Sequence, residues 1–277
     1  MQLIYDLFSS VLPFSWADYK FMVNAFVAVI LIAPLMGILG TMAVNNKMAF
    51  FSDALGHSAF TGIALGVLLG IKNEMLSLVA FGVFVALIIT RVKNKGNASS
   101  DTVISVFSST SVAVGLLVLS YGGSFSKYSA YLVGDILSVT ETEILCLFIT
   151  LIVVLVIWSL IYNKLLVISV NRELAASRGI KTSVYENIFV IVVAVVVMMS
   201  IKWVGILLIN SLLILPAASA RNIAKNSRQY LILSVIISLA CGVSGLLISF
   251  YGDTSAGATI VTVSAALFFA TYIFRKK

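Results

Sequence analysis

The stretch ILCLFITLIVVLVIWSLIY, residues 144–162, runs without a charged side chain for about the 20 residues that an α-helix needs to cross the hydrocarbon of a bilayer. It belongs to a chain of 277 residues that is 61% apolar and 10% charged. An ordinary soluble domain carries about 25% charged residues, so this chain cannot clothe a globule in polar surface, and lipid must be its solvent. Working outward, further apolar runs occupy 21–44, 52–71, 75–90, 101–121, 184–201, 203–220, 230–250 and 255–274. Nine spans of about 20 residues would use roughly 180 residues and leave room for short loops only. The runs at 52–71, 75–90, 184–201 and 203–220 are short or nearly contiguous, so the expectation is an all-α polytopic membrane protein of eight or nine transmembrane helices.

The net charge of +7 is informative through its placement. Alternate gaps between the runs hold Lys47; Arg91, Lys93 and Lys95; Lys164, Arg172, Arg178 and Lys181; Arg221, Lys225 and Arg228; and Arg275, Lys276 and Lys277. The other gaps hold only Lys20, Lys72, Lys127 and Lys202, together with most of the acids. The positive-inside rule then puts the N-terminus outside and the C-terminus in the cytoplasm. The basic clusters read as topology determinants, not as a nucleic-acid surface. The first cation is Lys20, so Met1 to Ser10 lacks the basic n-region of a cleaved signal, and Cys146 and Cys241 lie inside apolar runs, where a thiol behaves as a small hydrophobe.

Standard catalytic patterns are missing from the sequence. There is no G-x-x-x-x-G-K-[ST] phosphate loop, no H-E-x-x-H, no G-x-S-x-G, and one histidine in all. A transporter, a channel or a structural membrane protein remains.

Four segments interrupt the apolar pattern. In Ser52-Asp53-Ala54-Leu55-Gly56-His57-Ser58-Ala59 the carboxylate and the imidazole are four residues apart, so on a helix they share a face. Ionisable groups in a span pair or line a pathway, and a carboxylate with an imidazole is the start of a divalent-metal site. The alternative is that Asp53 caps the helix and His57 hydrogen-bonds a neighbouring carbonyl. Gly62, Gly66 and Gly70 follow as a doubled G-x-x-x-G, which strips one face for close helix approach and makes this span a central one. Tyr131 to Glu141 is too short to span and too apolar for a free loop, which suggests a short or re-entrant helix; its acids, with Glu143, either attract a partner or serve as caps. Asn171 to Lys181 suits a short amphipathic cytoplasmic helix stopped by Gly179, either docked on a partner or lying at the lipid interface. In Val204 to Arg221, Pro216 is expected to bend the helix, while Asn210 and Ser211 put polar atoms at mid-depth as glue or as cavity lining.

Together these segments resemble the integral-membrane permease of bacterial divalent-metal ABC importers, the family of zinc and manganese uptake permeases. The resemblance runs from about residue 30 to the C-terminus. It is carried by S-D-A-L-G-H-S-A at 52–59, G-D-I-L-S-V-T at 134–140, the L-A-x-x-x-G loop at 174–179 and V-G-I-L-L-I-N-S-L-L-I-L-P-A-A-S-A-R at 204–221. Tyr251-Gly252-Asp253-Thr254-Ser255-Ala256-Gly257-Ala258 is similar to the family's D-x-P-[AS]-G turn, with Ser255 in place of proline.

The resemblance implies a type II ABC importer-like permease, one transmembrane domain over 1–277 in the bacterial plasma membrane, working as a homodimer. Two copies of a separate ATPase subunit would supply the missing phosphate loop, and an extracytoplasmic metal-binding protein would deliver the cargo. A coupling helix near 171–182 would seat in the ATPase through Glu173, Ala175, Arg178 and Gly179. Asp135 and Glu141 would belong to the receptor face, Asn210, Ser211 and Pro216 to pathway or packing, and Asp53 and His57 to the metal route. No bound cofactor is expected. The transported ion would be zinc, with manganese or iron as alternatives, since imidazole favours zinc while added oxygen ligands favour manganese; Gly134-Asp135 and Asp253 resemble zinc permeases more. A stand-alone ion-coupled transporter or channel using Asp53 and His57 as a proton relay is the rival of another class.

Overall fold

The computed structural model describes residues 15–71, 73–96, 98–122 and 136–274. Its helices are α1 (Lys20–Asn45), α2 (Phe51–Leu68), α3 (Glu74–Lys95), α4 (Ser100–Gly122), α5 (Glu141–Val170), α6 (Arg172–Ser177), α7 (Thr182–Val204), α8 (Ile206–Ile223), α9 (Ser227–Tyr251) and α10 (Ala256–Ile273). Short 3-10 turns lie at Ser15–Asp18 and Ile136–Ser138. Among the described residues there is no strand. Eight of the helices are long and apolar enough to cross a membrane. The ninth long helix, α2, carries Asp53 and His57, and its neighbours bury most of its other residues.

Local chemistry sets the boundaries. Asn73 opens α3 by accepting hydrogen bonds from the amides of Met75 and Leu76, and Asn226 opens α9 through the amide of Gln229. Thr140 and Glu143 form a reciprocal capping box at the start of α5, with Thr140 N–H donating to the Glu143 carboxylate at 2.9 Å and Glu143 N–H to the Thr140 hydroxyl at 3.4 Å. The acid at 143 is thus a cap. Only Gly205 separates α7 from α8, and its φ of 91° is a conformation that a residue with a Cβ resists, so the near-contiguous pair of runs is two helices. Pro216 sits inside α8 without ending it.

The chain packs as two compact units. In the unit made of residues 1–41, 134–154 and 203–277, α1 approaches α9 at Gly37, whose carbonyl accepts from Ser234 Oγ at 2.7 Å, and approaches α8 at Gly40, where a Cβ would collide with the Leu213 carbonyl. Tyr230 donates its hydroxyl to the Thr41 carbonyl at 3.3 Å and closes a cluster with Ala220, Ile237 and Cys241. Small residues let these backbones meet where lipid offers no hydrophobic drive.

In the unit made of residues 42–133 and 155–202, α2 is the central helix. Gly62 and Gly66 lie on α3, where Cβ atoms would press on Leu78, Phe81 and Ser77, and Ser77 Oγ donates to the Gly62 carbonyl at 2.6 Å. On the side of α4, Ser58 Oγ bonds Ser111 Oγ at 3.1 Å, and Thr61 Oγ1 donates to the Ser111 carbonyl beside Gly115. Gly70 departs from the expected packing stripe: it has a φ of 68°, no atom lies where its Cβ would point, and it turns the chain after α2.

Candidate functional site

Asp53 and His57 stand in the first two turns of α2. His57 Nε2 is 3.5 Å from Asp53 Oδ2, and the side chains are 36% and 46% exposed. From Phe51 to Ala64 every other residue of the helix is buried. Within this stretch the half-exposed positions are the two side chains able to ligate a metal.

Beside Asp53 lies a cleft of about 130 Å³ lined by Phe50, Asp53, Ile104, Ser105, Ser108 and Ser109. The three hydroxyls come from α4, Ser105 lying one turn before the adjacent Ser108 and Ser109, and were not singled out from the sequence. The signal was present, since serines at 105, 108, 109 and 112 inside an apolar run repeat at the spacing of one helix face. Among the described residues no group of three or more His, Cys, Asp or Glu could hold a metal. One chain therefore offers the carboxylate, the imidazole and neighbouring hydroxyls, which falls short of the four ligands of a closed zinc site.

The short helix α6 is built from both ends. Asn171 Oδ1 accepts from Leu174 N–H at 3.0 Å. At the other end Gly179 N–H donates to the Ala176 carbonyl at 2.9 Å and Ile180 N–H to the Ala175 carbonyl at 3.1 Å, the double bond of a Schellman stop, with Gly179 at a φ of 76°. Ala175 is fully buried and anchors the helix, while Glu173, Leu174, Arg178 and Gly179 are exposed. A further group escaped the sequence reading: Glu186 of α7 accepts from Arg172 Nη2 at 3.1 Å and from Asn94 Nδ2 at 2.8 Å, tying the first residue of α6 to α7 and α3. Nothing in the linear spacing of 94, 172 and 186 announces that meeting.

Asn210 is half-buried on α8, and Ser211 is buried with its hydroxyl donated to the Leu208 carbonyl at 2.9 Å. Pro216 is buried one to two turns further on. Glu141 is exposed at the first turn of α5, and Asp135 lies outside the described residues. Asp53 with His57, and Arg172 with the α6 loop, are the two groupings that combine chemistry with access. Cys146 and Cys241 are free thiols.

The sequence pattern of the ABC 3 transport family matches residues 18–275. The chain is similar to the manganese import system permease protein ScaB of Streptococcus gordonii, 30% identical over 94% of this chain and 93% of the relative. It is similar to the high-affinity zinc uptake system membrane protein ZnuB of Haemophilus influenzae, 32% identical over 86% of this chain and 92% of the relative. Among solved structures, PsaBC from Streptococcus pneumoniae in complex with Fab superposes with a TM-score of 0.78 at 26% identity, covering 98% of this chain and 95% of that one.

Proposed function

Since the chain belongs to the ABC 3 transport family and is a multi-pass permease of metal-ion ABC importers, we propose that its cargo is zinc and that Asp53 and His57 are the ligands on the route. The observation that carries the reading is the half-exposed pair, 3.5 Å apart, on a stretch from Phe51 to Ala64 whose other residues are all buried. Two copies related by a two-fold axis would bring two carboxylates and two imidazoles, a set that suits tetrahedral zinc and that one chain does not supply.

The rest of the machine follows the same logic. Two copies of an ATPase subunit would engage the exposed Glu173, Leu174 and Arg178 around the Gly179 stop, with Ala175 as the internal anchor. Arg172, held by Glu186, would pass their motion into α3 and α7. An extracytoplasmic metal-binding protein would deliver zinc on the face that includes Asp135 and Glu141. Asn210, Ser211 and Pro216 serve as pathway or packing residues of α8. The basic ends at Arg91 to Lys95 and Arg172 to Lys181 lie in the cytoplasm, with the N-terminus outside.

Manganese has one observation in its favour: Ser105, Ser108 and Ser109 add hard oxygen donors next to Asp53. Competition in proteoliposomes holding the permease, its ATPase and its binding protein separates the two. Zinc uptake indifferent to a large excess of manganese is the expected result; uptake of manganese at the same rate, with zinc as a mere inhibitor, would transfer the assignment.

A further inference from the structure

At the end of the second unit that the proposed orientation puts in the cytoplasm, a cleft of about 710 Å³ opens between α3, the start of α6 and the first turns of α7. Its α3 wall is a single helical stripe, Phe84, Leu87, Ile88, Arg91, Asn94 and Lys95, whose members recur at three- and four-residue intervals. The stripe changes character along its length. Phe84 is 57% exposed, Leu87 and Ile88 are partly so, and all three are apolar; Arg91 and Lys95 are exposed cations, joined from α6 by Arg172. Ser183 and Asn187 of α7 complete the polar end, where the N-terminus of a long helix adds its positive dipole.

We propose that this cleft is a binding site for an anionic phospholipid of the cytoplasmic leaflet, with the phosphate between Arg91, Lys95 and Arg172 and an acyl chain along Phe84, Leu87 and Ile88. The apolar continuation of the stripe argues for lipid over a soluble anion or a protein. The eleven steps of helix from Phe84 to Lys95 rise about 16 Å, of which the apolar part from Phe84 to Ile88 is about 6 Å, enough for the upper part of an acyl chain with its phosphate one to two turns beyond. A free phosphate would use only the basic end, and a cytoplasmic protein would reach no deeper than that end. No carboxylate is among the residues lining the cleft; the nearby Glu186 pairs with Arg172 and Asn94 and offsets the charge of Arg172, so Arg91 and Lys95 supply most of the attraction for the phosphate. Lys93 points elsewhere, donating to the Asn46 carbonyl at 3.1 Å. Basic clefts between helices at a cytoplasmic face favour anionic headgroups.

The test is tryptophan quenching by brominated lipid in vesicles holding the full-length Leu87→Trp chain, with the signal of native Trp16, Trp158 and Trp203 subtracted using the unsubstituted protein. Dibrominated phosphatidylglycerol is expected to associate about fivefold or more tightly than dibrominated phosphatidylcholine. Arg91→Gln with Lys95→Gln should bring the ratio near one. Equal quenching by the two lipids, or a preference unchanged in the double variant, would overturn the proposal. So would relief of the preference by millimolar glycerol 3-phosphate, which marks a soluble-anion site, or by addition of the ATPase subunit, which marks a protein-docking site. If Leu87→Trp disturbs folding, cross-linking of photoactivatable phosphatidylglycerol to the unsubstituted chain decides the matter: label within residues 84–95 is expected, and its absence there is contrary.

Discussion

Arg172 and Glu186 form a two-point ion pair, with Nε 3.1 Å from Oε1 and Nη2 3.1 Å from Oε2. The fork geometry fixes the guanidinium plane as well as its distance, so the beginning of α6 is oriented relative to α7. Arg172 is 42% exposed, and solvent screening holds the pair to about 1 kcal/mol of stability. Glu186→Gln should therefore fold and insert normally while loosening the joint. The expected outcome is a several-fold drop in metal moved per ATP hydrolysed in proteoliposomes; a transport-to-hydrolysis ratio equal to that of the parent would show that the joint carries no motion.

Gly179 has a φ of 76° and open space where a Cβ would go, so substitution there strains the backbone without a clash. Gly179→Ala is expected to cost about 1 kcal/mol and to weaken association with the ATPase subunit. Gly179→Asn should restore much of the loss, because asparagine tolerates the left-handed region. Equal losses in pull-down for the two variants would argue against the backbone as the cause.

Gly66 and Gly257 separate packing from mere glycine loss. A Cβ on Gly66 would run into Ser77, whereas one on Gly257 meets nothing within 4 Å and its backbone is ordinary. Gly66→Ala is expected to destabilise by roughly 1–3 kcal/mol and Gly257→Ala to be neutral, measured as thermal stability in detergent. Matching melting temperatures would contradict the close approach of α2 to α3.

Ser255 precedes α10 with a φ of −59°, which proline adopts without strain. Ser255→Pro should hold or raise thermal stability, by up to about 1 kcal/mol through the unfolded chain. A clear fall in melting temperature would mean that the turn before α10 does not accept the ring.

Most of the fold is written in short-range patterns. The nine runs appear as nine long helices because span length and apolarity are local properties, and caps such as Asn73, Asn226 and the Thr140 and Glu143 box use neighbours in sequence. The Gly179 stop is legible for the same reason. Gly70 misleads because its spacing from Gly62 and Gly66 is that of a packing stripe while α2 ends at Leu68, a boundary decided by the turn that follows. Helix α5 reaches Val170, beyond the apolar run that ends at 162, since helix continues past the hydrocarbon where polar residues need not stop it. The pairing of Asp53 with His57 is visible as i and i+4, but their shared exposure depends on what α3 and α4 cover. The serine face of α4 is legible as a repeat but its place beside Asp53 is not, and the meeting of Asn94, Arg172 and Glu186 is tertiary, with no linear spacing that contains it.

Zinc uptake by proteoliposomes containing the Asp53→Ala and the His57→Ala permease, each with its ATPase and binding protein and each confirmed as assembled at the level of the parent, tests the central claim most directly. At least a tenfold loss of uptake in each variant, with ATP hydrolysis retained, is predicted. Uptake at the parent rate in either variant would make that residue structural and remove the pair from the metal route.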